Sequence, residues 1–177
     1  MDFRAEKIRK SMADYEDVVE IYKNSFPKVE QFPLWLLRIM SHLKGINSYA
    51  FRDGDDLCGF AYFLVNDETV FILFLAVNAK VRSKGYGSQI ISWIKETYPN
   101  KEIFLDVEKP DENSENNHQR IKRIEFYRRN GIFDTNQSFT YDDVTYEILC
   151  TDKNFTEEDY NENLASHFRI FKKKRQR

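Results

Sequence analysis

The sequence predicts an α/β protein: a mixed, mostly antiparallel twisted sheet with helices on both of its faces. Three observations carry that expectation. Segments whose apolar residues alternate are interleaved with segments whose apolar residues recur every three or four positions. The run VFILFLAV, residues 70–77, is apolar on both faces, as a central strand is. The stretch NAKVRSKGYGSQI, residues 78–90, joins that run to a helical segment, and a further strand follows. A strand, a crossover helix and a second strand imply a parallel pair.

The elements follow in order. FRAEKIR, residues 3–9, alternates like a half-buried strand. Tyr15, Val18, Val19, Tyr22 and Phe26 recur at helical spacing, and Pro27 stands where that helix should stop. Pro33 opens a second helix with Leu36, Ile39, Met40 and Leu43 on its inner stripe and Gly45 beyond its end. INSYAFRDGDDLCGFAYFLVND is a β-hairpin about Asp53-Gly54, a pair that accepts the positive φ of a tight turn. The central strand comes next, then a helix marked by Ile90, Ile91, Ile94 and Tyr98 that ends before Pro99. EIFLDVE, residues 102–108, is another strand, and after a polar turn HQRIKRIEFYRRNG is a helix with Ile121, Ile124 and Tyr127 on one inward face. Asn130-Gly131 stops it. QSFTYDDVTYEILC closes the sheet as a hairpin. The last segment carries a capping box, Thr156 with Asp159, ahead of Tyr160, Leu164 and Phe168. Residues 1–153 are expected to form the main domain and 154–177 a C-terminal helix with a basic tail.

Composition narrows the function. With 177 residues, an apolar share of 41% and a formal charge of −2, the chain can bury a core and is no bulk binder of nucleic acid. The longest apolar run is too short to cross a bilayer, and MDFRAEKIRK lacks the apolar stretch of a signal peptide, so a cytoplasmic protein without a membrane partner is expected. Cys58 and Cys150 read as buried free thiols, and His42, His118 and His167 have no metal-ligand spacing, so no metal is expected. The cationic run FKKKRQR reads as the solvated end of a helix.

The glycine-bearing junction poses the chemical question. Glycines let backbone turn tightly and approach a ligand, and the first N–H groups of the following helix are unpaired donors suited to a phosphate. A Walker A loop has no match in the chain, and a dinucleotide fingerprint would need a third glycine where Ile90 stands. What remains is an apolar strand, a short polar loop, Arg-x-x-Gly-x-Gly and a helix, met by FLAVNAKVRSKGYGS. In this the chain resembles the GNAT superfamily of N-acetyltransferases, whose acetyl-coenzyme A loop reads [RQ]-x-x-G-x-[GA]. IEFYRRNGIF, residues 124–133, is similar to the family's late helix, F-Y-x-x-x-G-F, with Ile132 inserted before Phe133.

The resemblance implies a splayed central strand pair, acetyl-coenzyme A as cosubstrate and a primary amine as acceptor, in a monomer or homodimer. It implies that Leu75, Ala76 and Val77 offer backbone groups to the pantetheine arm, with the Val77 N–H on the thioester carbonyl. Arg82, Ser83, Lys84, Gly85, Tyr86, Gly87 and Ser88 would receive the pyrophosphate. Tyr127 would protonate the departing thiolate. Many members carry a glutamate on the strand before the loop where this chain has Leu73, so the base must come from elsewhere. Asp106 and Glu108 alternate onto one face of the next strand, and Glu108, nearer its end, is the first choice. Leu73 also leaves open a non-catalytic acyl-coenzyme A binding or regulatory module.

Overall fold

The structure is a computed structural model that describes residues 2–81 and 84–172. Its elements are β1 (Phe3–Lys7), α1 (Tyr15–Ser25), α2 (Leu34–Met40), β2 (Ile46–Asp53), β3 (Asp56–Val65), β4 (Thr69–Val77), a 3-10 turn (Ala79–Val81), α3 (Tyr86–Thr97), β5 (Glu102–Glu108), α4 (Asn117–Arg129), β6 (Phe133–Tyr141), β7 (Val144–Cys150) and α5 (Glu157–Lys172). The seven strands lie in the order β1-β2-β3-β4-β5-β7-β6. β4 and β5 are parallel, as the crossover requires, and the β1–β2, β2–β3, β5–β7 and β6–β7 pairs are antiparallel. The β4–β5 ladder has three pairs, from Thr69↔Glu102 to Phe71↔Phe104.

The chain divides into two compact units: Met1–Val65 with Ile72–Thr97, and Asn66–Phe71 with Tyr98–Arg177. In the first, residues alternate across the β2–β3 hairpin, so Phe51 and Phe60 face opposite ways. Trp93 of α3 packs edge-on to Phe51 at 5.3 Å between ring centroids. On the other face Tyr22 of α1 meets Phe60 at 6.1 Å and Phe74 at 5.1 Å, with Phe26 4.9 Å from Phe74. Helices therefore cover both faces of this unit. The second unit is centred on β5, where Phe71 and Phe155 stack on Phe104 at 5.0 and 5.1 Å and Tyr160 of α5 stands edge-on at 5.7 Å. Each such ring contributes about 1.5–3 kcal/mol by leaving water.

Several local expectations need correction. α2 ends at Met40, and the chain reaches Gly45 through turns, with the His42 N–H donating to Ile39 O and the Leu43 N–H to Met40 O. A helix that short cannot bury the whole stripe, and Ile39 stays 56% exposed. On α4 the inward face is Ile124 and Tyr127, while Ile121, a turn earlier, is 39% exposed. The β2–β3 loop is Gly54-Asp55 rather than Asp53-Gly54, because Asp53 pairs with Asp56 and Gly54 supplies the positive φ of +60° at the first loop position. β6 starts at Phe133, ahead of the expected Gln137, across an irregularity at Thr135 and Asn136. β4 is buried on both faces only as far as Ile72; Leu73, Leu75 and Val77 are half-exposed beyond the end of the β5 ladder. The capping box forms as expected: the Asp159 N–H donates to Thr156 Oγ1 at 3.1 Å and the Thr156 N–H to Asp159 Oδ2 at 2.8 Å. Cys58 and Cys150 are buried free thiols. No described helix is long and apolar enough to cross a membrane, and the described residues hold no cluster of His, Cys, Asp and Glu able to bind a metal.

Candidate active site

The end of β4 is pinned to β3. Asn78 donates its N–H to Cys58 O and its Nδ2 to Leu57 O, both at 2.8 Å, and its Oδ1 accepts from the Lys80 N–H. Gly59 makes room for this: a Cβ built on it would stand 2.3 Å from Ala76 O and 3.1 Å from Val77 Cα. Successive strand amides point to opposite edges, so with the Asn78 N–H directed at β3 the Val77 N–H points away from β3. Ala76 is buried; Leu75 and Val77 are half-exposed. These are the three positions expected to supply backbone groups.

The loop then turns into α3. Arg82 and Ser83 lie outside the described residues. Lys84 is exposed, and Gly85 has φ +78°, the left-handed region that glycine enters without strain, with open space where a Cβ would point. α3 begins at Tyr86, so Gly87 and Ser88 lie in its first turn. The first internal bond runs from the Gln89 N–H to Gly85 O at 3.1 Å. The N–H groups of Tyr86, Gly87 and Ser88 have no acceptor among the described residues, which is the donor set a phosphate needs. The Tyr86 ring faces the core, only 3% exposed, and its hydroxyl donates to Asp53 Oδ2 at 3.1 Å. Only its backbone remains for a ligand.

In the second unit Tyr127 sits on the buried face of α4, 7% exposed, and its hydroxyl has no hydrogen-bond partner among the described residues. Burial pushes its pKa up to about 12; Arg123 pulls it down and Asp106 pushes it up further. The phenol is therefore protonated throughout the neutral range. Asp106 and Glu108 share one face of β5, as their spacing predicts. They are held differently. Glu108 Oε2 takes the Arg120 guanidinium at 3.0 Å and Asn116 Nδ2 at 3.3 Å. Asp106 accepts the Tyr160 hydroxyl at 2.8 Å, and its burial raises its pKa against the lowering effect of that bond.

A family model for the GNAT acetyltransferases matches residues 15–132, a span that includes the loop, α3 and Tyr127. The chain belongs to the GNAT family of acetyltransferases. Solved structures share its fold. An acetyltransferase of the GNAT family from Bacteroides thetaiotaomicron is 24% identical, with a TM-score of 0.72 over 93% of this chain and 95% of that one. A GNAT acetyltransferase from Elizabethkingia anophelis, solved with acetyl-CoA bound, is 11% identical, with a TM-score of 0.56 over 85% and 98%. An aminoglycoside 6'-N-acetyltransferase complexed with coenzyme A is 12% identical, with a TM-score of 0.62 over 83% and 95%. At these identities the likeness is one of fold. No curated protein matches the chain. Within this GNAT chain, the residues missed by sequence reasoning are those that hold the others in place. Gly59 carried a usable signal, a glycine inside a strand. Arg120 and Tyr160 carried none, since the Asp106–Tyr160 bond spans 54 residues.

Proposed function

We propose that this chain transfers the acetyl group of acetyl-coenzyme A to a primary amine by direct attack, with no covalent enzyme intermediate. The observation that carries the reading is the free donor set at the start of α3, Tyr86, Gly87 and Ser88 behind the left-handed Gly85, which suits the pyrophosphate. Lys84 and Arg82 add charge, and Ser83 a further amide. Acetyl-coenzyme A supplies an activated thioester; the chain positions it and manages protons.

Leu75, Ala76 and Val77 run alongside the pantetheine arm through their backbone, and the Val77 N–H donates to the carbonyl oxygen, which gains charge as the amine attacks. Tyr127 donates its proton to the leaving sulfur; the free hydroxyl and the raised pKa both suit a group that must keep its proton until then. Glu108 accepts the proton of the amine, directly or through water. Asp106 is the second choice for that role, favoured by the burial that raises its pKa toward the range of a working base.

Melting curves with acetyl-coenzyme A test the loop. The cosubstrate should raise the melting temperature of the parent protein by several degrees, and Gly87→Val, confirmed folded by circular dichroism, should abolish the rise. Equal shifts in parent and variant would remove the loop from the site. A shift without turnover of any amine would favour the non-catalytic module. Turnover measured separately for Glu108→Gln and Asp106→Asn decides which carboxylate is the base.

A further inference from the structure

The first unit contains a cleft of about 900 Å³, framed by the β1–α1 turn, α1, α2 and the start of β2. Its size suits an organic molecule of ordinary ligand dimensions. The floor is aromatic, with Tyr15, Tyr22, Phe60, Tyr62 and Phe74. Two of the hydroxyls are already engaged: Tyr62 donates to Leu37 O at 3.0 Å, and Tyr22 accepts the Phe32 N–H at 2.7 Å. These phenols therefore present rings to a ligand.

The wall carries one sign of charge. Lys7, Arg9, Lys10, Arg38 and Lys44 line the cleft together with His42, and no aspartate or glutamate does. The chain as a whole has 29 acidic and 27 basic residues, so an even spread would have put about as many carboxylates there as cations. None of the five cations forms an ion pair with a described residue. The carboxylates nearest in sequence to Lys7, Arg9 and Lys10, namely Glu6 and Asp14, are both taken by Arg52. Exposed lysines and arginines are usually just solvated, but a ring of unpaired cations around an aromatic floor concentrates positive potential where a ligand's apolar body would rest.

We propose that this cleft binds the acceptor, and that the acceptor is an amphipathic amine with an apolar or aromatic body and at least one carboxylate. The inference rests on the acetyltransferase reading for the word acceptor; the binding of the anion stands apart from it. Polycationic amines are excluded by the same charge that attracts the carboxylate.

Isothermal titration of the full chain without acetyl-coenzyme A tests this. The probes are tryptophan and the dipeptide phenylalanyl-glutamate, each against its carboxamide, with spermidine as a polycation. The acids should bind about tenfold more tightly than their amides, with affinity falling as salt rises. Replacing Lys10, Arg38 and Lys44 together by glutamine, at exposed positions that leave the fold intact, should erase the preference. Amides bound as tightly as acids, spermidine bound best, no binding of either acid, or a preference that survives the triple substitution would each overturn the proposal. The same compounds assayed for acetylation report on the enzyme separately. An acid that binds through the three cations and is never acetylated supports the anion site and counts against the transfer reaction. Acetylation of spermidine in preference to the acids does the reverse.

Discussion

Tyr127 and Asp106 make the sharpest residue-level tests, because the role proposed for each is one that packing alone would not produce. Tyr127→Phe keeps the ring in the core and removes the proton. If the phenol protonates the thiolate, turnover should fall about 10²- to 10⁴-fold with acetyl-coenzyme A affinity little changed. With its pKa near 12, the phenol should add no alkaline decline to the turnover profile of the parent below about pH 11. Turnover within about threefold of the parent would return Tyr127 to a packing role. Asp106 has a folded pKa raised by burial, so the native state holds that proton more tightly than the unfolded chain. Its ionised form subtracts stability above the folded pKa and subtracts nothing once pH falls below the unfolded value. Asp106→Asn still accepts from Tyr160, so it should melt higher than the parent near neutral pH, the gap closing in acid. A lower melting temperature at pH 7 would contradict the assigned cost of that charge.

Elements were more legible than their inner faces. The order of strands and helices, the parallel crossover and the loop at the start of α3 could be read from periodicity and from the spacing of Gly85 and Gly87. Ile39 and Ile121 were misplaced because a stripe at helical spacing does not say where a helix stops or how wide its covered face is. The proposed base was the least legible feature, since Glu108 and Asp106 are distinguished by Arg120 and Tyr160, which only folding brings to them. Two further tests belong to this scale. Gly59→Ala places a methyl against Ala76 O, so β3 and β4 must part; a loss of about 1–3 kcal/mol in urea unfolding is expected, together with weaker acetyl-coenzyme A binding. A neutral effect would mean that the end of β4 is not held by this contact. Thr156→Ala removes half of the α5 capping box, at a cost of about 0.5–1 kcal/mol at neutral pH for so exposed a site. The hydrogen bonds from Thr156 hold the Asp159 pKa low, so that part of the stability is present above the unfolded carboxylate pKa and is lost as pH falls through the folded one. The cost of the substitution should therefore shrink in strong acid.

At the scale of the whole molecule the formal charge is −2, yet five cations line the cleft and the sequence closes on the cationic run FKKKRQR. The cleft sets its cations beside an aromatic floor. Removing residues 172–177, of which 173–177 lie outside the described residues, should leave turnover within about tenfold of the parent, equivalent to roughly 1.4 kcal/mol in the transition state. A larger loss would assign the tail to the acceptor. Family membership, the donor set at the start of α3 and the free phenol of Tyr127 all bear on a single claim, that this chain moves an acetyl group from a thioester to an amine. The measurement that tests it most directly follows free coenzyme A and acetylated amine together, by mass spectrometry, for the parent and Tyr127→Phe across a panel of amines. The account predicts equal amounts of both products over many turnovers in the parent, largest with amines that carry a carboxylate, and a loss of at least about a hundredfold in the variant. Binding of acetyl-coenzyme A with no amine acetylated above the uncatalysed rate would contradict it.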